Sequence, residues 1–255
     1  MSLFVTGDLH GRSYIRKLDA FDRAFGHYLN RDDLVVVLGD LSVPWHVPAD
    51  EDDLALIRHI DEFPWTTLFV DGNHENHAYL DSLDVTPRFG DDAHELTEHL
   101  VHLMRGRVYD LAGHESLVMG GARSLDADSL RRAGSWWARE VPDAQERAIL
   151  DQAVARHRSV DLVLTHAPSS SQLATHALDT MSPWRPDEYN QWLQEHIADR
   201  LRYRMWFYGH MHDDRPWEAR DIPLMHVIYD VDSTFPGRLW GPESLLDDWY
   251  PGDPF

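Results

Sequence analysis

Five short blocks of this 255-residue chain carry side chains that can bind metal: Asp8-x-His10, Gly39-Asp40, Gly72-Asn73-His74-Glu75, Thr165-His166 and Gly209-His210-x-His212. Imidazole nitrogens, carboxylates and an amide oxygen are donors for divalent metals, and such sites typically activate a water molecule. The chain has 17 histidines and no cysteine. Disulfides, zinc fingers, iron–sulfur clusters and thiol nucleophiles are therefore excluded, and any metal centre must be built from His, Asp, Glu and Asn.

The elements that position these blocks follow from the hydrophobic pattern. Each block comes directly after a short apolar run: Leu3-Phe4-Val5, Leu34 to Leu38, Leu68-Phe69-Val70, Leu162-Val163-Leu164 and Met205 to Tyr208. Runs of this length, rich in Val, Leu and Phe and bounded by Gly, predict strands buried on both faces. Helical spacing links Tyr14, Leu18, Phe21, Phe25 and Leu29, and again Leu54, Ile57 and Ile60; Pro142 and Pro186 are placed in the first turns of two further helices. Val108-Tyr109 and Leu117-Val118-Met119 predict strands that open a second sheet, and His226 to Tyr229 a late strand, with a turn-rich tail after Pro236. Alternating strands and helices imply an α/β fold. Ligands of such folds gather outside the carboxyl ends of the strands, so all five blocks are expected at one composite site. With no repeat, linker or low-complexity stretch, residues 1–255 are expected to form a single domain.

In order and residue types the five blocks resemble the calcineurin-like metallophosphoesterase superfamily. The stretches Thr67 to Asn76, Gly120 to Ser124 and Ser135-Trp136-Trp137 are similar to a small bacterial and phage subgroup of unsettled substrate. The resemblance implies a two-sheet mixed β-sandwich flanked by helices. It also implies a ligand set: Asp8, His10 and His212 on one metal, Asn73, His166 and His210 on the other, and Asp40 bridging both. Two divalent transition-metal ions are then the cofactors, manganese first, with iron, cobalt, nickel or zinc as alternatives; four imidazoles argue against calcium. Two dications, two aspartates and a bridging hydroxide sum to about +1, enough to attract a phosphate to an acidic protein. The same resemblance casts His74 as the general acid for the leaving oxygen, a proton transfer that suits histidine near neutral pH. Glu75 is read as orienting the loop rather than binding metal.

The expected function is hydrolysis of a phosphomonoester or phosphodiester of a small molecule or nucleotide, with the bridging hydroxide as nucleophile. Three rival functions fit less well. A protein serine/threonine phosphatase shares two blocks, but here Asp40 is followed by Leu41-Ser42-Val43-Pro44 and Val70-Asp71 stands before Gly72, so both phosphate-gripping arginines of that branch are missing. An inactive scaffold would have lost ligands. A nuclease, or any nucleic-acid partner, is disfavoured by the formal charge of −21. Arg123, after a Gly-Gly pair, and His46, close behind the second block, are candidate substrate contacts. Trp136-Trp137 is read as packing under a loop, and His196 as a boundary residue in the stripe of Tyr189, Trp192, Leu193 and Ile197. The lack of a long apolar stretch argues against membrane insertion, and the lack of cysteine suits a cytoplasmic location. Oligomeric state is not expressed in these features.

Overall fold

The computed structural model describes residues 1–46, 48–125, 127–134, 136–180, 185–214, 220–232 and 239–240. Two mixed sheets stack face to face. The first contains β1 (Leu3–Thr6), β2 (Leu34–Leu38), β3 (Thr66–Val70), β4 (Val85–Arg88), β5 (Asp91–Thr97) and β6 (Leu100–Leu103), together with the late strands β12 (Ile228–Asp230) and β13 (Leu239–Trp240). Its order is β13-β12-β1-β2-β3-β6-β5-β4. The second contains β7 (Arg107–Leu111), β8 (His114–Met119), β9 (Ser159–Thr165), β10 (Arg202–Tyr208) and β11 (Asp221–Pro223) in the order β11-β10-β9-β8-β7. The helices are α1 (Arg16–Phe25), α2 (Glu51–Asp61), α3 (His77–Leu80), α4 (Ala127–Ala133), α5 (Ala144–His157), α6 (Ser170–Thr180) and α7 (Glu188–Leu193).

The pattern of β2 shows why the strands read as continuous apolar runs. Leu34, Val36 and Leu38 face a core shared with Leu162, Leu164 and Phe207 of the other sheet. Val35 and Val37 face outward, under Leu18 and Phe21 of α1 and Ile57 and Ile60 of α2. On the outer face of the second sheet, Val163 and Trp206 lie under Leu150 of α5 and Leu193 of α7. The layers are thus helix, sheet, sheet, helix. Both central faces are dry, so strand direction and register carry the loops at the strand ends to fixed places.

The five predicted ligand-bearing strands are β1, β2, β3, β9 and β10, and the predicted second-sheet strands are β7 and β8. Four details differ. The buried stripe of α2 is Leu56, Ile57 and Ile60, while Leu54 is 44% exposed. Helix α1 ends at Phe25, and a short 3-10 turn takes the chain to Leu29. Pro142 and Pro186 precede the helices rather than entering them, because Asp143 and Asp187 take the N-cap positions and close capping boxes. The late strand begins at Ile228, since the His226 and Val227 amides are bound by the Asp214 carboxylate instead of a neighbouring strand. Apart from Leu239–Trp240, the turn-rich tail lies outside the described residues.

Candidate metal centre

All seven predicted ligands meet at the carboxyl ends of β1, β2, β3, β9 and β10. Among the described non-glycine residues eight have positive φ, and His10, Asp40, His210 and His212 are four of them. Left-handed backbone is costly for these residue types and clusters at functional loops, where surrounding structure enforces it. The loops also approach closely. A Cβ on Gly39 would sit 2.2 Å from Nδ1 of His166, and one on Gly72 2.0 Å from Oδ1 of Asp40, so glycine before each ligand lets one loop rest on another's side chain.

Two nests of donor atoms result. In the first, Nε2 of His10 and Nε2 of His212 are 3.1 Å apart, and Oδ2 of Asp8 is 3.6 Å from Nε2 of His212. In the second, Nε2 of His166 faces Oδ1 of Asn73 at 3.0 Å. Oδ2 of Asp40 lies between them, 3.8 Å from Nε2 of His10 and 3.4 Å from Nε2 of His166. Donors at right angles about an ion with bonds of about 2.1 Å are about 3.0 Å apart, so both nests have the spacing of ligands converging on a cation. Asp8, His10 and His212 form one cluster able to hold a metal, and Asp8, Asp40 and His166 another. In the second cluster, however, Asp8 meets Nδ1 of His166, the nitrogen turned to the Leu38 carbonyl at 2.7 Å. The nitrogen left for a metal is Nε2, and its neighbours are Asp40 and Asn73.

Charge and hydrogen bonding fit the same use. Burial opposes ionisation of Asp8 and Asp40, yet the adjacent His166 holds both carboxyls below the usual range. Burial likewise disfavours a charged His166, but Asp40 and Asp8 raise its pKa well above the ordinary imidazole value. Something positive is demanded between these carboxylates, a proton or a metal. Burial and the charge of His166 push His210 down to about 3, leaving a neutral imidazole able to act as a ligand. The His210 ring lies 4.9 Å from that of His166, and its amide donates to both carboxylate oxygens of Asp8.

Asp8 and His166 are fully buried, whereas His10, Asp40, Asn73, His210 and His212 line a cavity of about 750 Å³. His74 lines it too. Its amide donates to Oδ1 of Asp40 at 2.8 Å and its ring is 5.5 Å from that of His10. His46 is at the same cavity, its Nδ1 between the carboxylates of Asp50 and Asp53 at 3.0 and 3.1 Å. Arg123 is elsewhere. It is half exposed, its guanidinium is turned to Glu188 and Asp187 at the start of α7, and it lines a smaller pocket that shares Leu125, His210 and Met211 with the main cavity. Trp136 carries the Arg131 guanidinium on its face, and His196 stacks on Trp192 and bonds Asp151.

Around the ligands lies a supporting set. Glu75 binds the Leu41 and Ser42 amides at 2.8 and 2.6 Å, clamping the loop after Asp40; burial and the Asp40 charge raise its pKa well above the usual value. Three further contributors escaped sequence reasoning. Ser124 receives the Asn73 amide at 3.0 Å, which turns Oδ1 of Asn73 toward the metal nest. Lys17 is buried, and its Nζ donates to the carbonyls of Gly7, Asp8 and Met225; its signal was a cationic residue inside the apolar stripe of α1. Asp71, two residues before Asn73, pairs with Arg105 and accepts from Nε2 of His102 at 3.2 Å. No local signal joins residues so far apart.

A helix-sheet-sheet-helix sandwich whose strand ends converge imidazoles, carboxylates and an amide oxygen on cation-spaced nests is the architecture of a metal-dependent hydrolase. The family model of the calcineurin-like phosphoesterases matches residues 1–214, and the chain belongs to that family. It is accordingly an enzyme of the metal-dependent class that hydrolyses phosphoester bonds. A search of curated proteins found no match. No helix among the described residues is long and apolar enough to cross a membrane.

Proposed function

We propose that this protein is a dinuclear-metal phosphoesterase acting on a phosphomonoester or phosphodiester of a small molecule or nucleotide. The observation that carries the reading is the position of Oδ2 of Asp40, between Nε2 of His10 and Nε2 of His166. A carboxylate so placed would serve two cations at once. Asp8, His10 and His212 would hold one ion, Asn73, His166 and His210 the other. Two such ions, manganese first and iron, cobalt, nickel or zinc as alternatives, would supply Lewis acidity toward phosphate oxygens and acidify a water.

The chain's own residues supply the rest. His74, fixed through its amide to Asp40 and open to the cavity, gives its ring proton to the departing alcohol oxygen. Glu75 and Ser42 hold the loops of Asp40 and His74 together, Ser42 donating to the His74 carbonyl at 2.9 Å. The reading treats the chain as one domain, and its cysteine-free composition favours the cytoplasm.

The test is the dependence on leaving group. Proton donation matters most for a strongly basic alkoxide and least for p-nitrophenolate. His74→Ala should lower kcat/KM on an alkyl phosphate by about a hundredfold or more, and much less on p-nitrophenyl phosphate. Equal losses on both esters, at equal metal content, would remove His74 from the acid role.

A further inference from the structure

Resting on the phosphoesterase reading, we propose that the alcohol portion of the substrate carries a flat aromatic ring and that Trp45 is the residue that selects it. The cavity holding the metal nests is far larger than a phosphate requires. Beyond the ligands its apolar lining is Trp45, Leu56, Leu125, Leu130 and Met211. These residues come from separate parts of the chain: the loop after β2, helix α2, the segment before α4, α4 itself and the last ligand loop. Their convergence on one cavity makes an apolar wall next to a highly charged centre.

Placement tells which part of the substrate meets the wall. The leaving oxygen must be within reach of His74, so the group attached to it lies on the His74 side of the phosphate. Trp45 is the aromatic residue there: its ring centroid is 6.4 Å from that of His74, with the planes 33° apart. Trp45 is held at its backbone and at its ring. The Trp45 amide donates to Oδ1 of Asp53 at 2.9 Å, and the ring meets Trp137 edge-on at 6.4 Å. A half-buried indole fixed in place offers a π-face at little entropic cost on binding.

Leu125 adds an independent sign, since it is 78% exposed at this cavity. An apolar side chain left in water at a pocket mouth gains from an apolar ligand. At the rim Arg12 is paired with Asp52 at 3.0 Å, and the Asp53 carboxylate accepts from the backbone amides of Trp45, His46 and Asp50. The wall therefore suits an uncharged planar group.

Matched ester pairs isolate the ring from the chemistry. 2-Phenylethyl phosphate and ethyl phosphate expel alkoxides of similar basicity, as do adenosine 5′-monophosphate and ribose 5-phosphate. In the metal-loaded wild type the ratio of kcat/KM, ringed over ringless, should be about ten or more in at least one pair, the size expected of stacking on an aromatic side chain. The first pair reports an aryl alcohol and the second a nucleobase. Trp45→Leu should collapse that ratio toward one through KM, and Trp45→Phe should retain most of it. Ratios near one in both wild-type pairs, or a ratio unchanged in Trp45→Leu, would overturn the proposal. If none of the four esters is hydrolysed, the phosphomonoester reading fails. The same ratio is then read from their dissociation constants by calorimetry, where equal affinities within each pair overturn the role of Trp45.

Discussion

Arg105→Met is the most exacting test of how the second metal nest is held. Asp71 and Arg105 are 1% and 4% exposed. The guanidinium donates from Nε to Asp71 at 2.8 Å and again from Nη2, and reaches the Arg139 carbonyl and Glu146 at 2.8 and 3.2 Å. Burial would raise the Asp71 carboxyl, but Arg105 holds it far below the usual range. Methionine keeps much of the side-chain volume and removes the charge, leaving the carboxylate with His102. Breaking a buried pair from one side costs about 3–5 kcal/mol, because the remaining charge stays desolvated. At about 2–4 °C per kcal/mol for a chain of this size, Tm of the apo protein should fall by about 6–20 °C. Asp71→Asn in the same chain removes the stranded charge, so the double variant should melt well above the sum of the two single losses. Metal titration should show the Asn73 nest weakened more in Arg105→Met than in the double variant. Circular dichroism melts of the four proteins decide the matter: a single variant within about 2 °C of wild type, or additive losses in the double, would refute the coupling.

Asp40→Ala should lower affinity at both metal nests together, whereas Asp8→Ala should weaken the His10–His212 nest first; elemental analysis and titration of the apo protein check this, and two intact sites in Asp40→Ala would remove its bridging role. Burial, then the charge of Arg105, depresses the pKa of His77 from 6.5 to about 3. The unfolded chain therefore takes up this proton first. The His77 contribution to stability is whole above pH 6.5 and is lost as pH falls from there toward 3. Urea melts across that window should show His77→Gln losing less stability than wild type; parallel losses would contradict the burial argument.

Much of the sandwich was legible because its central strands are covered on both faces, which leaves β2 wholly apolar and β3 apolar from Leu68 to Val70, and a glycine stands within two residues of the end of four of the five runs. The convergence at the strand ends followed from the general behaviour of α/β sheets. Two of the finer errors share one cause, the competition of side chains for backbone amides. Asp143 and Asp187 cap the helices that the prolines were expected to begin, and Asp214 captures amides that were expected to lie in a strand. Arg123 was placed by its Gly-Gly neighbour, but its partners are two acids at the start of α7, 64 and 65 residues further on, which no local pattern reveals. The Asp71–Arg105 pair was invisible for the same reason: topology, not spacing, brings its members together.

Both sheets contribute to each nest. Asp8, His10, Asp40 and Asn73 follow strands of the first sheet, and His166, His210 and His212 follow strands of the second. Any ion shared by such a set is a rivet through two plates, and the thickness of the packing between the plates sets how far apart the rivet's two ends lie. That thickness is made by residues such as Val36, Leu38, Leu164 and Phe207. A core methyl group far from the site can thus act as a shim: trimming it lets the plates settle, shortens or skews the donor spacing, and would detune any ion held there without touching a ligand. In this protein the oil between the sheets helps to set the spacing of the donor atoms.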